Sequence, residues 1–144
     1  MTDPLAATEA VFRHRFVAPP EAIDGNGHVN NVVYVQWMQD VAIRHADACG
    51  GTAALDAIDC TWVVRSHTVT YLKPAHEGDS LEVRTWVVEM GRVRSLRRTE
   101  FVRIPDETPI AKGETDWVLI SERTGRPCAI PGSLREAFPI RGST

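Results

Sequence analysis

Five segments of the chain have the alternation of apolar and polar residues, or the β-favouring composition, that is typical of strands. In the first, residues 10–17, Phe12 and Phe16 share one face, and Arg13 and Arg15 share the other. The other four follow one another closely, at 61–72, 81–89, 92–104 and 110–120. Short connections between these four predict antiparallel neighbours in one sheet.

The region between the first two predicted strands has a helical repeat of apolar residues instead of the strand alternation. Apolar residues recur there every three or four positions, as in Tyr34, Trp37, Met38 and Val41, which predicts an amphipathic helix. Asn30 or Asn31 can cap its first turn, and Gly50-Gly51 supplies the stop. This is the only long helix that we predict. Residues 133–136 have the form of a capping box, Ser-Leu-Arg-Glu, which predicts a short last helix.

The order of one strand, one long helix and four strands predicts an α+β fold, with a five-stranded antiparallel sheet wrapped around the helix. One helix cannot cover both faces of such a sheet. The other face or an edge therefore invites a second copy of the chain, and we expect a homo-oligomer. The length of 144 residues fits a single domain over 1–144, with loose ends at about 1–8 and 140–144.

Composition excludes several classes of function. The net charge of −3 gives no general attraction to nucleic acid. No apolar run is long enough for membrane insertion, and the N-terminus lacks the pattern of a secretory signal, so we expect a cytoplasmic protein. The three cysteines, Cys49, Cys60 and Cys128, do not form a disulfide framework by number or spacing, and we expect reduced thiols. The histidines have no ligand spacing, so no metal site is predicted.

The candidate chemistry lies in the loop before the helix. Asp24, Asn26, His28, Asn30 and Asn31 fall within eight residues. The unpaired N–H groups and the dipole of a helix N-terminus can stabilise an oxyanion, and a carboxylate just upstream can attack a carbonyl or activate water. These parts suit acyl transfer. The alternative from composition alone is a turn that only caps the helix, since Asn, Asp and Gly are common turn residues.

Four arginines within seven residues form a second candidate feature. Arg92, Arg94 and Arg98 are expected on one face of the fourth strand, with Arg97 opposite. Guanidinium groups suit the capture of phosphate or carboxylate. The alternative is a surface face paired with nearby acidic residues.

The run from Asp24 to Trp37, Asp-Gly-Asn-Gly-His-Val-Asn-Asn-Val-Val-Tyr-Val-Gln-Trp, resembles the signature of the hotdog-fold thioesterases. It is close to the 4-hydroxybenzoyl-CoA thioesterase-like group of acyl-CoA thioesterases, and its first eight residues are also similar to acyl-ACP thioesterases. The resemblance continues through residues 65–74, 90–101 and 124–131, and covers about residues 10–132. It implies a hotdog fold, in which the sheet wraps around one long helix.

By this resemblance Asp24 is the catalytic carboxylate, acting as nucleophile or as general base. Asn31 matches the helix N-terminal position whose backbone N–H polarises the thioester carbonyl. Asn26 and His28 match polar residues implicated in the acyl-ACP enzymes. The role of His28 stays open between positioning water, orienting Asp24, donating to the oxyanion and holding the loop.

The resemblance further implies hydrolysis of an acyl-CoA, or alternatively of an acyl-ACP, by a homodimer or homotetramer with sites at the subunit interface. No cofactor is expected beyond the coenzyme A of the substrate. Tyr34 and Trp37 are expected to bind substrate as lining of the acyl pocket, or else to be core. One or two of Arg92, Arg94 and Arg98 are expected to hold the phosphates of coenzyme A.

Two other functions fit the same segment. A hydratase or dehydratase of the same fold would carry Asp-x-Asn-Pro-x-His, whereas here His28 follows Asp24 by four residues and no proline follows Asn26. A non-catalytic module would bind an acyl thioester without turnover. That spacing disfavours the hydratase, and the complete set of polar residues in the loop favours catalysis over binding alone.

Overall fold

The computed structural model describes residues 10–141, and the strands there form one antiparallel sheet. The strands are β1 (Phe12–Val17), β2 (Cys60–Tyr71), β3 (Ser80–Met90), β4 (Arg94–Ile104) and β5 (Thr108–Ser121). Their order across the sheet is β1-β3-β4-β5-β2, so β1 and β2 are the edges. The helices are α1 (Asn31–Cys49), α2 (Gly51–Asp56) and α3 (Gly132–Ala137), with a 3-10 turn at Pro20–Ala22.

The long helix α1 packs on one face of this sheet, as the sequence predicts. Its buried residues Tyr34, Met38 and Val41 form a core with Leu81 of β3 and Phe101 of β4. Each of these side chains is at most 2% exposed. Truncating such a side chain to alanine typically costs about 2–5 kcal/mol, so this core contributes strongly to the stability of the fold.

Close approach of α1 to the middle of the sheet depends on Gly113 in β5. A Cβ atom at this position would lie 2.5 Å from Met38 Cε and 2.7 Å from Met38 Sδ. The missing side chain therefore leaves the space that the Met38 thioether fills. At the end of α1, Gly50 takes φ of +90°, a left-handed conformation that glycine adopts at little cost, and the helix stops there as predicted.

A second core cluster lies toward the end of α1. Val87 and Leu119 from the sheet pack there with Ile130, Leu134 and Phe138 from the C-terminal segment. The segment also adds polar support, because Arg135 donates hydrogen bonds to the carbonyl oxygens of Met90 and Gly91, at 2.9 and 2.6 Å. The C-terminal residues thus close this end of the sheet.

The structure corrects four sequence expectations. Strand β4 begins at Arg94, so Arg92 lies before it, in the connection from β3. The short helix α2 was not expected, because it has only six residues and no side-chain cap. The predicted short last helix is confirmed as α3, but its capping box at 133–136 is wrong: α3 begins at Gly132 after Pro131, without a side-chain cap.

The fourth correction concerns the C-terminal end, predicted to be loose from about residue 140. Ile140 forms a parallel bridge with Val87, and the Arg141 N–H donates to the Val87 carbonyl at 3.0 Å. The Arg141 guanidinium also lies 4.7 Å above the Trp86 ring, a cation–π contact. The predicted loose start at 1–8 lies outside the described residues, as do residues 142–144.

Candidate active site

The loop before α1 is closed by backbone hydrogen bonds at its base. Ile23 and Val29 form an antiparallel bridge, and the Asp24 N–H donates to the His28 carbonyl at 2.8 Å. Gly27 has φ of +79° and donates its N–H to the Asp24 carbonyl at 3.1 Å. This positive φ suits glycine, so the sequence between Asp24 and His28 folds locally into a tight turn.

The Asp24 carboxylate takes part in this turn through one oxygen. Its Oδ1 accepts from the backbone N–H of Asn26 at 2.9 Å and of His28 at 3.3 Å. No described residue bonds to the other oxygen, Oδ2, and the side chain is partly exposed. The loop therefore holds Asp24 in a fixed orientation while one carboxylate oxygen is left for a substrate or a water molecule.

The N-terminus of α1 directly follows this loop and is capped by Asn30. The Asn30 Oδ1 accepts from the Val32 N–H at 3.0 Å, and the Asn30 carbonyl accepts from the Val33 N–H at 2.9 Å. The N–H of Asn31, the first helical residue, has no hydrogen-bond partner within residues 10–141. It is thus a free donor at the positive end of the helix dipole.

A cavity of about 250 Å³ opens beside this helix end. His28, Asn31 and Tyr34 all line it, together with Tyr71 and Lys73 from the end of β2 and the segment after it. The structure therefore brings three of the predicted site residues to one surface. Asp24 and Asn26 lie in the adjoining loop and do not line this cavity.

Tyr71 is a site residue that sequence reasoning did not single out. Its hydroxyl donates a 2.7 Å hydrogen bond to the Asn31 carbonyl, and its ring lies 5.5 Å from that of Tyr34. It lies in the segment at 65–74 that carries part of the family resemblance, which was the available signal. His76 is another such residue, because its ring packs edge-to-face on His28 at 5.2 Å and its Nδ1 lies 3.7 Å from Asp79 Oδ2.

The aromatic residues Tyr34 and Trp37 belong to the core as well as to this region. Tyr34 is 2% exposed and packs edge-to-face on Phe101 at 5.2 Å. Burial raises the pKa of Tyr34 to about 12, so its hydroxyl stays protonated at neutral pH. Trp37 packs on Phe16 at 4.8 Å and lines a different groove, which includes His14 and Asp40.

None of the predicted phosphate-binding arginines lines the cavity at the start of α1. Arg94 pairs with Asp116, and Arg98 donates to Glu114 at 3.1 Å. Both lie on the face of β4 opposite the buried Arg97, as predicted. The Arg92 side chain forms no hydrogen bond or ion pair with any residue between 10 and 141, so its guanidinium is available.

Comparisons with known proteins agree with this architecture. Residues 18–138 match the family model of the thioesterase-like superfamily. A palmitoyl-acyl carrier protein thioesterase of Cuphea hookeriana is 26% identical over 133 residues, and the match covers 87% of this chain and 32% of the relative. The chain thus spans about a third of the length of the curated relatives that it matches.

Solved structures show the same fold. A 1,4-dihydroxy-2-naphthoyl-CoA thioesterase of Synechocystis superposes with a TM-score of 0.80 at 17% identity, over 88% of this chain and 94% of that one. An acyl-ACP thioesterase of Bacteroides thetaiotaomicron has a TM-score of 0.81 at 25% identity, and the match covers 93% of this chain and 55% of that one. A Staphylococcus aureus protein in complex with CoA has a TM-score of 0.80 at 22% identity, and the match covers 88% of this chain and 80% of that one.

In the part of the chain that the structure describes, no helix has the length and apolar character needed to span a membrane.

The sheet with its single long helix on one face is the hotdog fold of the thioesterases, which confirms the predicted fold class. Because the family model covers most of the sequence, the chain belongs to the thioesterase-like superfamily.

Proposed function

We propose that the chain hydrolyses an acyl-CoA thioester to a free carboxylic acid and CoA. The observation that carries this proposal is the position of Asn31 at the start of α1: its N–H bonds to no described residue, and Asn31 lines the cavity beside the Asp24 loop. A donor at a helix N-terminus stabilises the negative oxygen that develops when a thioester carbonyl is attacked. Membership of the thioesterase-like superfamily supports the reaction class.

Asp24 supplies the attack in one of two ways. As a general base, its free oxygen removes a proton from water, the water oxygen bonds to the acyl carbon, and the C–S bond breaks to release CoA, which takes the proton. As a nucleophile, the carboxylate itself bonds to the acyl carbon and expels CoA, and water then cleaves the resulting anhydride. The Asn31 N–H serves either route.

Asn26 and His28 assist from the same loop. Their backbone N–H groups hold Asp24 Oδ1, so both residues orient the carboxylate. The His28 side chain also lines the cavity, where it can hold water or donate to the oxyanion. Tyr34 forms the apolar wall against which the acyl group packs, with Trp37 behind it in the helix.

The test is thiol release by Asp24→Asn. Asparagine keeps the Oδ1 acceptor for the loop N–H groups but can neither remove a proton nor form an anhydride, so turnover should fall by about a hundredfold or more while the melting temperature changes little. Asp40→Asn, an exposed carboxylate on α1, is the matched control and should keep full activity. Near-normal turnover in the Asp24 variant would contradict the assignment.

Coenzyme A is proposed as the thiol carrier, with Arg92 as the first candidate for its phosphates and Arg94 and Arg98 as weaker ones because acidic side chains already pair with them. The relatives include thioesterases named for both CoA and acyl carrier protein substrates. A panel of acyl-CoA and acyl-ACP substrates with matched chains, ranked by kcat/KM, decides between the carriers. A higher value for every acyl-ACP would overturn the choice of CoA.

We also propose that the protein works as a homodimer or homotetramer. Strand β2 is a sheet edge of 12 residues, and an unpaired edge of this length is a template for pairing with another chain. Exposed apolar residues, Val32, Tyr71 and Leu72, lie close to the candidate site at the end of this edge. Light scattering on the purified protein should give a mass of two or four chains, and a monomer mass would reject this arrangement.

A further inference from the structure

A second cavity, of about 320 Å³, lies between the later part of α1, α2 and the sheet. Most of its lining is apolar and includes Ala42, Ala46, Leu55, Trp62 and Val87. None of the proposed catalytic residues lines it. Ala42 and Ala46 follow Asn31 by 11 and 15 residues, which is about 16–22 Å along the helix at 1.5 Å per residue. The cavity is therefore separate from the candidate active site.

Arg97 forms part of the wall of this cavity and is only 5% exposed. Its Nη1 donates to the His45 Nδ1 at 2.9 Å and to the Thr85 Oγ1 at 3.1 Å. Its guanidinium carbon also lies 5.8 Å above the Phe138 ring. All of these neighbours are uncharged, because burial and the charge of Arg97 lower the pKa of His45 to about 3.

No carboxylate of the described residues 10–141 pairs with Arg97. The one acidic residue on the cavity wall, Asp47, is exposed and accepts a hydrogen bond from the Thr52 hydroxyl at 2.5 Å. Burial lowers the pKa of Arg97 to about 10, so the side chain keeps its positive charge at neutral pH. Within the described residues, the cavity thus contains a buried cation without a counter-ion.

This arrangement is unusual because burying a charge costs several kcal/mol unless an opposite charge accompanies it. The two hydrogen bonds of Arg97 both start from Nη1, although a guanidinium carries five N–H donors. Ser95 and Trp117, paired across β4 and β5, also line the cavity, and the Trp117 Nε1–H has no partner among the described residues.

We propose that this cavity binds an apolar molecule that carries one carboxylate, with the carboxylate on Arg97 and the hydrocarbon body against the apolar wall. A carboxylate supplies the missing counter-ion and matches the fork of guanidinium donors. The volume of about 320 Å³ lies at the small end of the range for ligand sites, which suits a medium-chain or single-ring acid. The binding site does not depend on the proposed hydrolysis.

Two sources could supply such a carboxylate: a free carboxylic acid, or the far end of a substrate acyl chain that itself ends in a carboxylate. Their shared chemistry is the apolar body with a terminal anion. Binding of the free acid is measured without hydrolysis. The result of the binding experiment is therefore independent of the result of the thioesterase assay.

The binding experiment titrates the complete chain with octanoate and with 1-octanol, using calorimetry and the fluorescence of Trp62 and Trp117 in the cavity wall. Wild-type protein should bind octanoate at least about tenfold more tightly than octanol, since charge-assisted hydrogen bonds are worth that much or more. Arg97→Met should lose this preference. Arg123→Met, at an exposed arginine that does not line the cavity, is the matched control and should retain it.

Arg97→Met is expected to fold, because replacing a buried charge by an apolar side chain is often neutral or stabilising. Ala46→Leu is an independent variant that fills part of the cavity and leaves Arg97 in place. It should weaken the binding of both octanoate and octanol. Equal affinity of wild-type protein for the acid and the alcohol, no binding of either, or unchanged octanoate binding in Arg97→Met would each overturn the proposal.

A second arm identifies the source. The hydrolysis of hexadecanedioyl-CoA, whose chain ends in a carboxylate and is long enough to reach from Asn31 to this cavity, is compared with that of palmitoyl-CoA. A loss of hexadecanedioyl-CoA hydrolysis alone in Arg97→Met, together with lost octanoate binding, assigns the site to the substrate chain. Lost octanoate binding with both hydrolysis rates unchanged assigns it to a free acid.

Discussion

The Tyr71 hydroxyl donates a 2.7 Å hydrogen bond to the backbone carbonyl of Asn31. These residues are 40 positions apart, and the bond ties the end of β2 to the first turn of α1. The free N–H that we propose as oxyanion donor belongs to the same residue. The position of this donor thus depends on a side chain from an edge strand of the sheet.

Tyr71→Phe should therefore reduce kcat by about fivefold to tenfold, with little change in KM. The variant removes one hydrogen bond, which is worth about 1 kcal/mol, and allows the first turn of α1 to shift. Thiol-release kinetics measure the effect. Thr70→Val, which removes an exposed hydroxyl from the neighbouring position of β2, serves as control and should have normal kinetics. A normal kcat in Tyr71→Phe would show that this bond does not position the donor.

The two proposed routes for Asp24 differ in where oxygen from water ends up. If Asp24 forms an anhydride and water attacks its aspartyl carbonyl, a reaction in ¹⁸O-labelled water places label in the Asp24 carboxylate. General-base attack places label only in the product acid. Repeated turnover followed by mass analysis of the peptide that contains Asp24 should reveal the label if the carboxylate is a nucleophile.

The general-base route predicts an unlabelled peptide and a fully labelled product. Hydroxylamine adds a second test, because its attack on the aspartyl carbonyl of an acyl-enzyme anhydride leaves an aspartyl hydroxamate on Asp24, which hydroxylamine and the thioester alone cannot form. A trapped adduct together with an unlabelled Asp24 peptide means that water attacks the acyl carbonyl of the anhydride. Protein incubated without substrate in labelled water is the control for slow exchange.

Much of the fold could be predicted because its signals are local. Strand alternation and the helical repeat from Tyr34 to His45 are visible in short windows, and Asn30 marks the beginning of α1. The helix α2 could not be predicted in this way, since its six residues are too few to show a period. Its start at Gly51 depends on packing under Phe138 from the C-terminal segment.

The candidate site could be predicted only for those residues that lie close together in the sequence. Asp24, His28 and Asn31 lie in one loop, so their proximity follows from the sequence. Tyr71 joins them through the path of the chain across the sheet, which no local pattern encodes. The same holds for the contact of His45 with Arg97, 52 positions apart.

Arg92 gives a prediction about substrate binding. Arg92→Ala should raise KM for an acyl-CoA by about threefold to tenfold and leave kcat unchanged, since phosphate binding far from the thioester affects substrate and transition state equally. The comparison substrate is the acyl N-acetylcysteamine thioester, which has no phosphates and should show the same KM in variant and wild type. A raised KM for both substrates would mean that Arg92 acts through the fold instead.

Cys60 and Cys128 give a prediction about oxidation. Their Sγ atoms are 2.6 Å apart, although the sequence spacing gave no reason to expect them together, and all three cysteines are free thiols here. Treatment with diamide, which takes up two electrons and two protons, should join this pair and reduce the titratable thiols of the unfolded chain from three to one. Closing a loop of this length should raise the free energy of unfolding by about 2–4 kcal/mol.

The control for this reaction is Cys60→Ser, which should keep both of its remaining thiols under the same treatment. A wild-type titre that stays at three after diamide would show that the two sulfur atoms do not reach bonding geometry. Thiol titration with a chromogenic disulfide, before and after oxidation, provides the measurement.

His45 gives a prediction about acid stability. Burial, together with the charge of Arg97, lowers its pKa to about 3 in the folded chain, whereas an unfolded histidine titrates near pH 6.5. Below pH 6.5 the unfolded state binds the extra proton, so the free energy of unfolding should fall as the pH falls. His45→Asn keeps an acceptor for the Arg97 Nη1–H but cannot titrate. Between pH 7 and 5 the free energy of unfolding of the wild type should fall by about 1–2 kcal/mol more than that of this variant.

Chemical denaturation at several pH values measures this difference. Between pH 7 and 9 the unfolding free energies of wild type and His45→Asn should run parallel, since His45 is neutral in both states there. Equal losses of stability in the two proteins between pH 7 and 5 would mean that folded His45 accepts a proton as easily as an unfolded one. That result would be incompatible with a neutral imidazole as the acceptor for the buried Arg97.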